Sequence, residues 1–133
     1  MMNLCCKQIL CENPCANNSY YCKVINEGSL IVSFYVDFNI GVTSHRINSS
    51  LIYPNHYAII KYPIYATNIR IRILNQSVES SPVICIKNTL EALRICIVVQ
   101  GSKYNPLCEQ LPLNSIGNII NPCICMNLFT NCK

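Results

Sequence analysis

A chain of 133 residues has the length of one ordinary domain, and 11 of its residues are cysteine, more than a core of this size needs for stability. The formal net charge of +4 comes from scattered lysine and arginine residues that form no basic stripe, which argues against a nucleic-acid-binding protein. The longest apolar stretch, around residues 30–36, is too short to cross a bilayer, so no membrane span is predicted.

Residues 1–18 are predicted to form an extended N-terminal connector arm. They hold Cys5, Cys6, Cys11 and Cys15 among asparagine, glutamine, glutamate and proline, a composition too polar and irregular for a core strand. Polar residues also interrupt any apolar run, so the segment lacks the pattern of a signal peptide and is expected to stay in the protein.

Residues 19–101 are predicted to fold as an antiparallel β-sandwich or jelly roll, because short segments rich in β-branched and aromatic residues alternate with turns. The segment NTLEAL at 88–93 allows one helical turn. In TNIRIRILN the isoleucines are expected to point inward and Arg70 and Arg72 outward. Seven strands are expected, at 19–26, 29–40, 43–47, 56–62, 67–75, 82–88 and 93–101. The predicted core contains Val32, Phe34, Val36, Phe38, Ile69, Ile71, Ile73, Ile95 and Ile97.

Residues 102–133 are predicted to form a cysteine-rich C-terminal tail. The tail has three prolines and one glycine, and it supplies either disulfide partners of its own or a further strand. Its disulfide candidates are Cys108, Cys123, Cys125 and Cys132.

The sequence gives little support to an enzyme. His45 and His56 are the only histidines and are interpreted as solvated side chains, Asp37 is the only aspartate, and neither a C-x-x-C nor a G-x-S-x-G motif is present. Cys11 and Cys15, with one cysteine of the pair before them, loosely allow a zinc knuckle, but no second half of such a site follows. We therefore predict no catalytic residue, no metal site and no cofactor.

Cross-linking explains the cysteines better, and strand alternation indicates which of them are available. If Ile84 and Ile86 face the core, Cys85 points outward, and the same alternation turns Cys96 outward, whereas the direction of Cys22 is ambiguous. A disulfide between Cys85 and Cys96 within one subunit is one interpretation, and bonds between subunits are the other. Because the cysteine count is odd, at least one thiol is free, metal-bound or paired with another chain.

With the double cysteine LCC at 4–6 on an arm ahead of a β-sandwich, the chain resembles the endospore appendage (Ena) subunits, which build fibres on Bacillus-type spores. The resemblance implies a jelly-roll body and a flexible connector whose thiols bond to strand cysteines of other subunits. It matches the early acceptor to Cys22 in YYCKVIN and the late acceptor to Cys96 in LRICIVVQG. The resemblance also implies synthesis inside a mother cell and oxidation after release.

These observations predict a structural subunit that self-assembles into disulfide-cross-linked fibres, either a spore appendage or a pilus-like filament. Its partners would be copies of itself, with no small-molecule substrate, and it would lie outside the producing cell on a spore or cell surface. The alternative is a secreted cysteine-rich binding module or toxin with intramolecular disulfides, and a viral or coat jelly roll is a third possibility. The candidates for disulfides between subunits are Cys5, Cys6, Cys11, Cys15, Cys22, Cys85 and Cys96.

Overall fold

Alternating apolar and polar residues form the strands of a two-sheet β-sandwich in the computed structural model, which describes residues 19–111. No helix occurs in this part of the chain, so the predicted all-β sandwich class is confirmed. The eight strands are β1 (Ser19–Asn26), β2 (Val32–Ile40), β3 (Thr43–Asn48), β4 (His56–Pro63), β5 (Thr67–Asn75), β6 (Val83–Glu91), β7 (Ile95–Ser102) and β8 (Asn105–Gln110).

The strands are divided equally between two sheets. The first sheet has the order β4-β1-β7-β8 and the second has the order β3-β2-β5-β6. Neighbouring strands run antiparallel as expected, except that β1 and β7 in the middle of the first sheet are parallel. Parallel strands are typically buried on both faces, and residues 21–26 and 95–99 are buried without interruption.

The core lies between the sheets and contains every residue that the sequence assigned to it. Phe34 of β2 faces Ile73 of β5, and Val36 faces Ile71, so apolar residues in register form one continuous inner face. Burying a side chain of this size stabilises the fold by roughly 1.5–3 kcal/mol.

The two lateral sides of the sandwich differ. On one side the edge strands β6 and β8 of opposite sheets contact each other, and we call this side the closed edge. On the other side, all six residues of β3 are exposed, and we call this strand the open edge. The closed edge brings residues of β6 and β8 together although they are distant in sequence.

One expectation about secondary structure is wrong. The segment 88–93 does not form a helical turn, because β6 continues through Glu91 in pairing with β5. The further strand that the sequence allows within residues 102–133 is present, since β8 pairs with β7 as far as Gln110. A left-handed Gly101 precedes this hairpin turn, where a Cβ atom would collide with the Asn105 carbonyl.

The expected outward exposure of the strand cysteines is also wrong, for two different reasons. In β6 a bulge opposite Ile73 and Leu74 lets Ile84 and Cys85 both approach the core, and Ile86 is 60% exposed. In β7 the alternation is as expected, but Cys96 is fully buried because it belongs to a second apolar cluster on the other face of the first sheet. The buried members of this cluster are Tyr21, Ile25, Cys96, Val98 and Leu111.

Candidate functional site

Cys85 and Cys108 form a pair of thiols at the closed edge. Cys85 is opposite the buried Ile73 in the β5–β6 register, and Cys108 is opposite the buried Val99 in the β7–β8 register, so both side chains are turned towards the core. Both are half-buried, both pack against the main apolar cluster, and both are free thiols.

The two neighbouring thiols are chemically unequal. The adjacent Cys108 thiol, opposed by burial and helped by the nearby Lys87 ammonium, lowers the pKa of Cys85. The neighbouring Cys85 thiol and burial raise the pKa of Cys108. The Cys108 thiol donates to the carbonyl oxygen of Ile84, at 3.8 Å. Because the two thiols influence each other, their titration belongs to the pair as a unit.

Cys22 has the opposite character. It lies on β1 in the main core and is fully buried as a free thiol. Burial, with a smaller contribution from Cys85, raises the pKa of Cys22 far above its ordinary value. Because the thiolate is the nucleophile in disulfide exchange, Cys22 is unreactive until the core opens.

Cys96 is disulfide-bonded, whereas Cys22, Cys85 and Cys108 are free. The disulfide between Cys85 and Cys96 that the sequence allowed is therefore not formed. The physical reason is the topology, since β6 and β7 follow each other along the chain but belong to different sheets. The hairpin that would have placed these two residues side by side does not exist.

The remaining cysteines of the prediction lie outside the described residues. The structure therefore says nothing about the connector arm or about the tail beyond residue 111. The residues concerned are Cys5, Cys6, Cys11, Cys15, Cys123, Cys125 and Cys132.

Other candidate groups can be placed directly. His45 is exposed and stacks on Phe38, with 5.5 Å between ring centroids, and the exposed His56 has its Nδ1 atom 2.9 Å from the Pro54 carbonyl oxygen. Within residues 19–111, no three histidine, cysteine, aspartate or glutamate side chains are grouped as metal ligands. The same range contains no helix long and apolar enough to cross a membrane.

The outer face next to the open edge carries an ion pair. Arg46 of β3 donates from Nε and Nη2 to the two carboxylate oxygens of Asp37 on β2, at 2.6 Å and 2.9 Å. The guanidinium also stacks over the ring of Tyr35. Arg72 points outward as expected, since its neighbours Ile71 and Ile73 on β5 are buried. Its Nη1 atom donates to Asn88 of β6.

The pairing of Cys85 with Cys108 is the feature that sequence reasoning missed. The sequence makes each residue a disulfide candidate but places Cys85 in the sandwich and Cys108 in the tail. The only available signal was that NPLCEQ could form a further strand, and even that would not have shown that the two edge strands meet.

Comparison with known proteins gives information about the fold only. The sequence matches no protein-family model and no curated protein. Among solved structures, the human-specific toxin intermedilysin is similar with a TM-score of 0.51 and 18% identity, over 69% of this chain and 23% of that chain. The cytotoxin suilysin from Streptococcus suis has a TM-score of 0.52 and 11% identity, over 69% and 23% of the two chains.

Listeriolysin O is similar at the same level, with a TM-score of 0.51 and 10% identity over 69% of this chain and 22% of that chain. At such identities the likeness shows a shared sandwich fold. This chain spans less than a quarter of the length of these toxins.

Proposed function

We propose that this protein is a structural subunit that self-assembles into disulfide-cross-linked fibres on a spore or cell surface. Subunits associate through strand pairing at the open edge, and thiols of the connector arm, Cys5 and Cys6 first among them, bond to cysteines of a neighbouring copy. The observation that carries the proposal is the unprotected edge formed by β3.

An edge strand offers a row of backbone N–H and C=O groups to another strand, and soluble proteins usually block such rows with lysine, proline or a covering segment. The segment TSHRIN of β3 contains neither lysine nor proline, and its one permanently charged residue, Arg46, is held against Asp37. The strand is therefore suited to pairing with a strand of another copy.

The other three edge strands carry the usual protection. β4 contains Lys61 and Pro63, β6 contains Lys87 and Glu91, and β8 contains Pro106. This contrast restricts strand pairing to one edge. An open edge that pairs with the open edge of another copy closes a dimer, so extension into a fibre depends on the disulfides between subunits.

Exposed apolar residues next to the open edge add to the argument. Ile47 lies on β3 itself, Val42 lies in the turn that precedes it, and Leu51 and Tyr53 follow it. All four expose a third or more of their surface, and such side chains favour contact with another molecule.

The state of the body cysteines restricts which of them can accept an arm thiol. Cys96 is already disulfide-bonded, which fits a protein oxidised outside a cell. Since Cys22 is fully buried, an arm thiol that bonds to it would require the core to open, so this bond would form slowly.

The full chain, purified in reductant and then oxidised with a small-molecule disulfide, tests the proposal. Electron microscopy should show fibres. Non-reducing electrophoresis should show a ladder or material retained in the well, which reductant converts to one band near 15.0 kDa. A single compact band and no fibres would contradict the proposal.

A second candidate function is a secreted cysteine-rich binding module or toxin with intramolecular disulfides. This function is compatible with the disulfide at Cys96. It predicts the opposite result in the same experiment, a monomer that migrates as one band with and without reductant.

A further inference from the structure

We propose that Cys85 and Cys108 form a thiol–disulfide exchange site, in which a small-molecule disulfide oxidises the pair to a bond that joins the two sheets at the closed edge. This inference goes beyond assembly, because it concerns the chemistry inside one subunit and holds whether or not fibres form.

The topology brings the two thiols together without any hairpin between them. β6 is the last strand of the second sheet and β8 is the last strand of the first, and these two edge strands contact each other. Both cysteines point inward from their strands, so their side chains approach each other across the gap between the sheets. The sulfur of Cys108 reaches the backbone next to Cys85, 3.8 Å from the Ile84 oxygen.

The surroundings assign a different role to each sulfur. Cys85 is half-buried and lies two positions from Lys87 on the same strand face, so the Lys87 ammonium stabilises its thiolate. The Cys108 thiol donates to the Ile84 carbonyl oxygen, which holds it beside Cys85. This is the arrangement of an attacking cysteine and a resolving cysteine.

The reaction balances as follows. The Cys85 thiolate attacks one sulfur of a small-molecule disulfide, the bond between the two sulfurs of that molecule breaks, and one thiolate leaves. Cys108 then gives up its proton to solvent or to the departing thiolate and attacks the Cys85 sulfur, which expels the second thiolate. Two protein thiols are oxidised by two electrons, and the small-molecule disulfide is reduced to two thiols.

Cys22 provides an internal comparison. It is a free thiol of the same core, but it is fully buried and has no thiol hydrogen-bonded to it in the described part of the chain. A general oxidant should therefore react with Cys85 and Cys108 and leave Cys22 unreacted.

The test uses the reduced full chain and glutathione disulfide as oxidant. Digestion after lysine, arginine and glutamate yields the peptides 80–87 and 104–109, each of which contains a single cysteine. Mass spectrometry of the unreduced digest should find these two peptides linked. Brief alkylation of the reduced chain before oxidation should modify Cys85 before Cys108 and prevent the link.

Two substitutions of the same residue separate bonding from activation. Cys108→Ser keeps a donor beside Cys85 but cannot form the bond, so a mixed disulfide with glutathione should accumulate on Cys85. Cys108→Ala removes the donor as well, and alkylation of Cys85 at neutral pH should become about fivefold to tenfold slower. Cys22→Ala is the matched control, in which the linked peptides should form as in the original chain.

Three results would overturn the inference. One is a mixed disulfide that persists on Cys85 in the original chain while Cys108 stays free. Another is a link from peptide 80–87 to a different cysteine peptide. The third is faster alkylation at Cys108 than at Cys85. A link from peptide 80–87 to a peptide of the N-terminal 18 residues would overturn this inference while supporting assembly, so the two proposals can fail separately.

Discussion

The hydroxyl of Tyr62, on the edge strand β4, lies 2.7 Å from the carbonyl oxygen of Leu93, just before β7. It also lies 3.1 Å from the carbonyl oxygen of Tyr21 on β1. Tyr62 is only 2% exposed, and burial raises the pKa of its hydroxyl, which keeps the proton needed for donation. One side chain thus connects an edge strand, a central strand and the segment that enters β7.

Tyr62→Phe is expected to lower the free energy of unfolding by about 1–3 kcal/mol, because it removes a buried hydroxyl whose one proton is shared between the carbonyl oxygens of Leu93 and Tyr21. Urea denaturation of reduced protein measures the change. Tyr65→Phe is the matched control, since Tyr65 is 67% exposed and its substitution should change stability by less than about 0.5 kcal/mol. Equal effects of the two substitutions would mean that the buried hydroxyl contributes nothing special.

Seven of the strands could be predicted because segments rich in β-branched and aromatic residues are separated by turn residues, and in β2 and β5 alternation adds the direction of the side chains. In these two strands Val32, Phe34, Val36, Phe38, Ile69, Ile71 and Ile73 are apolar, alternate along the strand and are buried, so the sequence alone reveals that face. β8 lacks such a pattern, since it has Leu107 outward and contains a proline that only an edge strand tolerates.

The position of the thiol pair could not be predicted, because it depends on pairing. The bulge at Ile73 and Leu74 changes which residues of β6 face inward, and a bulge has no reliable signature in an isoleucine-rich strand. The contact of Cys85 with Cys108 depends in addition on which edge strands of the two sheets meet. Strand alternation reports the two faces of a strand but not its neighbours.

The corrected alternation in β6 can be tested by comparing two isoleucines. Ile73→Ala, in the core, is expected to cost about 2–5 kcal/mol of unfolding free energy. Ile86→Ala should cost less than about 1 kcal/mol, since Ile86 is mostly exposed on the outer face. Urea denaturation again provides the measurement. A large loss of unfolding free energy with Ile86→Ala would mean that Ile86 faces the core, as the sequence predicts.

The ion pair of Asp37 with Arg46 predicts a specific pH dependence. The Arg46 hydrogen bonds hold the pKa of Asp37 below its usual value. The pair therefore stabilises the fold fully at pH values above the pKa that Asp37 has in the unfolded chain, about 4. This stability is lost as the pH falls through the lower folded pKa. Asp37→Asn should therefore be less stable than the original chain at neutral pH, and the difference should shrink below about pH 4.

Urea midpoints measured from pH 7 down to about pH 2.5 test this expectation. Glu79→Gln makes the same charge change at an exposed residue and should retain the acid dependence of the original chain. If the difference between Asp37→Asn and the original chain stays constant at all pH values, the ion pair is not its cause.

The open edge predicts that a single charge should block assembly. Ile47→Lys places a lysine on β3, where it should be tolerated by the fold because Ile47 is already partly exposed, but it should oppose pairing with another strand. Sedimentation and electron microscopy should show monomers or short oligomers.

Gln100→Lys is the control for this substitution. It adds the same charge at an exposed position of β7, a strand that already has β1 and β8 as neighbours, so assembly should continue. Fibres of normal length from Ile47→Lys would exclude the open edge as the contact between subunits.

The last prediction concerns the double cysteine of the connector arm. Eighteen extended residues reach at most about 60 Å, enough to leave one sandwich and contact another, and adjacent cysteines do not readily bond to each other. Replacing Cys5 and Cys6 by serine should therefore leave a folded sandwich whose polymer dissolves in hot denaturant, because strand contacts remain while covalent links are lost.

Replacing Cys123 and Cys125 by serine removes the same number of thiols from the other end of the chain and serves as the control. Turbidity and non-reducing electrophoresis after heating in denaturant compare the two variants with the original chain. Resistant polymer from the Cys5 and Cys6 variant would shift the covalent role to Cys11, Cys15 or the tail. If only the tail variant loses its resistance to heating in denaturant, the subunits are joined through cysteines of the tail. Pairing at the open edge would then place the tails, rather than the arms, of two subunits close together.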